Sequence, residues 1–163
     1  MEGFLTLTEF AVALAGFTSI VVVFVHKDHA WDIFDKFRIV NALWSSLGAA
    51  FLASIPHVLQ YLDLSEDRIW SIEAVLIGSY IVFILVAVAI RRKTMLTPEH
   101  EKKVPQKIVN GIFVIGACFV VLLALCVVGS LAISLKGLCY FGLIYLLGIA
   151  VFAFSRIIFY RPE

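Results

Sequence analysis

Charged residues are scarce in this chain. Aspartate, glutamate, lysine and arginine make up 15% of its 163 residues, while 62% are apolar. Soluble domains average about 25% charged and about 45–50% apolar. A small domain leaves much of its surface exposed, so a water-soluble fold could not hide this excess of apolar surface. A bilayer removes the difficulty. Proline is also rare. Of the four, Pro98 and Pro105 fall in a polar stretch, Pro162 is near the end of the chain, and Pro56 alone lies inside an apolar run. Cys118, Cys126 and Cys139 sit in apolar runs without paired spacing, which argues against a disulfide framework or a thiolate metal site. No His-x-x-x-His or Cys-x-x-Cys pair, glycine-rich phosphate loop or nucleophile elbow occurs. No cofactor, metal or catalytic residue is therefore expected, and the chain is not read as an enzyme.

What the sequence does hold is long apolar runs. A helix needs about 20 mostly apolar residues to cross about 30 Å of hydrocarbon. Five runs meet that length: residues 4–25, 39–62, 69–90, 108–130 and 138–160. A helix satisfies its backbone hydrogen bonds within one segment, as a lipid environment demands. The expected fold is an all-α bundle of five transmembrane spans, a single domain over residues 1–163. The last two runs are separated only by Ser130 to Gly137, where Ser134, Lys136 and Gly137 predict a tight turn. Pro56 predicts a kink near the end of the second span. Glu2 and Glu9 flank the first run where a cleavable leader would carry positive charge, so none is expected.

Basic residues set the expected orientation. All thirteen lysines and arginines except Arg68 and Lys136 fall on the side that holds the first and third connections and the C-terminus. Cytoplasmic segments carry the basic excess, which predicts an outside N-terminus and a cytoplasmic C-terminus. The longest polar stretch, 91–107, is too short for a catalytic or nucleotide-binding module. Its basic residues are mixed with acids, so nucleic acid is not an expected partner. The bilayer is one, together with further copies of the chain or another membrane protein. In the first cytoplasmic connection Trp31, Phe34 and Phe37 alternate with Asp28, Asp32 and Asp35. That spacing predicts a short amphipathic helix over 28–37 in the membrane interface.

Ionisable groups inside spans are costly and are functional candidates by default. Glu9, His57 and Glu73 come from three consecutive spans. Each falls roughly 10 Å to the outer side of its span's midpoint at 1.5 Å per residue. They form a candidate ion- or proton-binding layer. The competing reading is that the glutamates favour helix starts and snorkel to the interface. In span two, Ser46, Ala50, Ser54 and His57 share one face, and Asn41, Ser45 and Gly48 share another. A helix polar on two faces is expected at the centre of the bundle. Arg156, near the inner end of the last span, predicts an ion pair with Asp32 or Asp35. Ala11, Ala15 and Ser19 form a small-residue stripe suited to close helix packing.

In length and density of spans the chain is similar to short bacterial inner-membrane proteins, and that membrane is expected. Two functions remain open. One is an oligomeric, channel-like assembly that passes ions or protons, with Ser46, Ser54 and His57 towards its axis. The other is an accessory or scaffolding subunit whose polar residues serve packing.

Overall fold

The structure, a computed structural model, describes residues 2–25, 33–95 and 106–159. Five helices account for nearly all of them: α1 (Glu2–Val25), α2 (Ile33–Gln60), α3 (Glu66–Met95), α4 (Gln106–Val127) and α5 (Leu135–Phe159). Each is long and apolar enough to cross a membrane, which marks an integral membrane protein. All five expected spans correspond to a helix.

The helix ends differ from the hydropathy limits because capping, not apolarity, stops a helix. Glu66 and Asp67 in the first turn of α3, and Arg92 and Lys93 in its last, complement the helix dipole and extend α3 past its apolar run. The α3 start is closed by Ser65, whose carbonyl accepts from the Arg68 and Ile69 amides. At the end of α4, Gly129 has φ +80°, with Ser130 N donating to Leu125 O at 2.9 Å and Gly129 N to Cys126 O at 3.0 Å. This is the paired bonding of a Schellman stop. Ser134 then opens α5, its hydroxyl accepting from Gly137 N and its carbonyl from Leu138 N. The expected turn between the last two spans is thus built from both sides.

The helix α5 touches all four others, and α2 touches α1, α3 and α5. The outer helices are α1 and α4, and α4 packs only on α3 and α5 among the described residues. The core runs through Leu52, Ala53, Ile77, Leu143 and Leu146, where α2, α3 and α5 meet. The expected central position of α2 follows from its sequence: Asn41, Ser45 and Ser46 on two different faces are all buried. Pro56 is fully buried, and α2 continues through it to Gln60. Of the amphipathic segment expected over 28–37, residues 33–37 form the opening of α2 and not a separate element. Residues 28–32, with Trp31 and Asp32, lie outside the described residues.

Two tyrosines lock helices together in the same way. Tyr80 of α3 donates its hydroxyl to Trp44 O at 2.7 Å, and its ring lies where a Cβ on Gly48 would go. Tyr145 of α5 donates to Ile112 O at 2.7 Å, and its hydroxyl fills the space beside Gly116. In each case the glycine stands four residues after the accepting carbonyl, so the missing side chain opens the approach to that oxygen.

Candidate intramembrane polar site

The bundle has two unlike ends. The turn end carries the short connections 61–65 and 128–134, and the basic end carries Arg38, Arg91, Arg92 and Arg156.

Glu73 lies about two turns into α3 from the turn end, with a relative exposure of 0%. Neither carboxyl oxygen has a hydrogen-bond partner among the described residues. Its helix neighbours Trp70, Ala74 and Ile77 belong to the apolar core. On the neighbouring helix α5, Cys139 is fully buried. The Cys139 thiol itself donates to Trp70 O at 3.8 Å. One turn nearer the turn end, Phe4 of α1 packs on Trp70 at 5.3 Å between ring centroids and edge-on to Tyr140 at 5.6 Å. Lys136 sits 5.3 Å over the Trp70 ring and 3.7 Å from Glu66, whose carboxylate also accepts from the Trp70 indole. An aromatic plug from three helices therefore stands between Glu73 and the polar turn end. Burying a charged carboxylate without a partner costs several kcal/mol. At this position Glu73 is either protonated and neutral or ionised with a cation beside its carboxylate.

No hydrogen bond or ion pair among the described residues joins Glu73 to His57 or to Glu9, the other members of the expected layer. His57, on α2, is half-buried, and its Nδ1 is buried without a hydrogen-bond partner among the described residues. It forms no ion pair with Glu73, and it does not cap the carbonyl that Pro56 leaves free. Glu9 does not belong to the group. It is exposed, roughly 120–160° around α1 from the buried Phe4, Ala11 and Ala15 at 100° per residue. Depth along the helix matched, but direction did not. The small-residue stripe could have shown this, since Ala11 and Ala15 mark the packed face and Glu9 lies opposite.

The serines of α2 serve their own helix. Ser46, fully buried, donates to Ala42 O at 2.8 Å, and Ser54 donates to Phe51 O at 2.6 Å. Thr18 bonds Leu14 O in the same manner at 2.7 Å. Such back-bonding satisfies a hydroxyl where no water is at hand. Ser45 differs, for its buried hydroxyl has no partner among the described residues.

At the basic end, Arg38 was not foreseen. Its Nη1 lies 3.7 Å from Asp35 Oδ1 and donates to Arg156 O at 3.2 Å. The link between Asp35 and the last turns of α5 among the described residues therefore runs through Arg38. Asp32, the other expected partner of Arg156, lies outside the described residues. Nearby, Arg91 donates to Asn41 Oδ1 at 3.4 Å and covers the Trp44 ring at 5.0 Å. Between α2, α3, α4 and α5 at this end lies a cavity of about 100 Å³, with Arg38, Arg92 and Arg156 among its walls.

Comparison with protein-family models, with curated proteins and with solved structures finds no match to this chain.

Proposed function

We propose that this chain is an ion- or proton-handling protein of the bacterial inner membrane, with Glu73 as the group that binds the ion. The observation that carries this reading is the carboxyl of Glu73, fully buried with both oxygens lacking a hydrogen-bond partner among the described residues. Intramembrane carboxyls that structure alone does not use are most often parts of ion or proton pathways. The lopsided distribution of lysine and arginine supports an N-terminus outside and a C-terminus in the cytoplasm, so the aromatic plug faces outward. The ion route runs inside one bundle. Of the residues expected to face a symmetric axis, Ser46 is fully buried inside the bundle and Ser54 and His57 are half-buried, which supports a route within one chain over a pore lined by α2.

The test is ion flux into liposomes that hold the purified protein, under imposed proton and then sodium or potassium gradients. Flux in the natural protein and its loss in Glu73→Gln support the proposal. Equal flux in the two proteins, or none in either, refutes it.

One observation favours a second reading, an accessory subunit. Glu9 stands on an exposed face of α1 beside Ala13 and Gly16, which are also exposed, and the space around Gly16 is open. A glutamate among small residues on an outer helix face suits close packing by a partner helix with a hydrogen-bond donor. Co-purification of a second membrane protein that is lost in Glu9→Ala supports this reading.

A further inference from the structure

The cavity at the basic end has two unlike parts. Its interior is apolar and is built by Phe37, Val88, Ile112, Phe113 and Phe152 among others. Its polar wall consists of Asn41 and three arginines from three helices: Arg38 of α2, Arg92 of α3 and Arg156 of α5. The volume, about 100 Å³, is several times the roughly 10–15 Å³ that one water requires on the same kind of measure. Water can be held only along the polar wall, because it needs two to four polar partners and the apolar part of the cavity offers none. A hydrocarbon segment suits that interior. A phosphate suits the arginines, since a guanidinium presents its N–H donors in a planar fork matched to such oxygens.

The geometry points to a binding site for one anionic phospholipid from the leaflet at the basic end, its phosphate held by Arg38, Arg92 and Arg156 and part of an acyl chain lodged in the cavity. The arginines have other interactions within the chain, and Arg38 serves Asp35 and the Arg156 carbonyl. Each guanidinium carries five N–H donors, so these contacts do not exhaust it. The wall from α4 is apolar throughout, with Val109, Ile112 and Phe113. Among the described residues α4 is also the helix that α2 does not touch, so the lipid fills a gap between them. The site is separate from Glu73 and does not depend on the role proposed for it.

Native mass spectrometry of the full chain in detergent tests the assignment. The ligands are phosphatidylglycerol, phosphatidylcholine with the same acyl chains, and inorganic phosphate. One phosphatidylglycerol per chain is expected, with much weaker retention of phosphatidylcholine and no competition from millimolar phosphate. Arg92→Gln should weaken retention roughly fivefold, as expected for one basic residue facing anionic lipid. Val88→Phe, which fills the cavity and leaves every arginine in place, should weaken it as well. A photoreactive acyl chain on phosphatidylglycerol provides a readout in the unaltered protein, where cross-links should fall within residues 84–92, 109–113 and 149–156. Equal retention of the two lipids, displacement by free phosphate, or cross-links elsewhere would overturn the assignment.

Discussion

Tyr80 lies across Gly48 and donates its hydroxyl to Trp44 O, so the α2–α3 interface depends on a side chain that is absent. Gly48→Val should lower stability by about 1–3 kcal/mol, because the added methyls must displace a ring held by its own hydrogen bond. Tyr80→Phe keeps the packing and should cost only about 0.5–1.5 kcal/mol. Thermal unfolding in detergent, followed by helical circular dichroism, checks both. A Gly48→Val variant as stable as the natural chain would mean that the two helices pack differently.

Glu73 is expected to oppose stability. Removing a buried polar group that has no partner should stabilise the bundle by about 1–3 kcal/mol. Glu73→Leu, similar in size and apolar, is therefore predicted to unfold at higher temperature than the natural chain. A destabilised Glu73→Leu would show that the carboxyl holds the bundle together.

The outward direction of Glu9 separates it from Glu73 in function. Glu9→Gln should leave liposome ion flux unchanged, whereas Glu73→Gln abolishes it. Loss of flux in both variants would place them on one pathway and contradict the face assigned to Glu9.

Orientation is open to chemical labelling. In a background without Cys118, Cys126 and Cys139, Ser134→Cys at the turn end should react with a membrane-impermeant maleimide in intact cells. Lys93→Cys, exposed at the basic end, should react only after the cells are opened. The reverse pattern would invert the topology.

The sequence shows some of this architecture well and some hardly at all. The spans were legible because apolar length is a one-dimensional signal. The centrality of α2 followed from polar residues on two faces, which a lipid-exposed helix would not tolerate. Glu9, His57 and Glu73 were legible as a group because the cost of an ionisable residue in a span is local, but nothing in the sequence set Glu73 above the other two. Direction around a helix is relative to neighbours, and so Glu9 was grouped with Glu73 by depth alone. The arginine-walled cavity was missed for a similar reason. Arg38, Arg92 and Arg156 lie far apart in the chain, and only the packing of α2, α3 and α5 brings them to one place. The two tyrosine–glycine locks each join positions more than thirty residues apart, with no local mark beyond a glycine in a helix.

In the proposed function the Glu73 carboxyl answers to protons or cations. Infrared difference spectroscopy of the membrane-embedded protein, recorded between two pH values and with and without sodium or potassium, tests it most directly. A carboxyl band is expected in the difference spectrum of the natural protein and should vanish in Glu73→Gln. Identical difference spectra for the two proteins would contradict it.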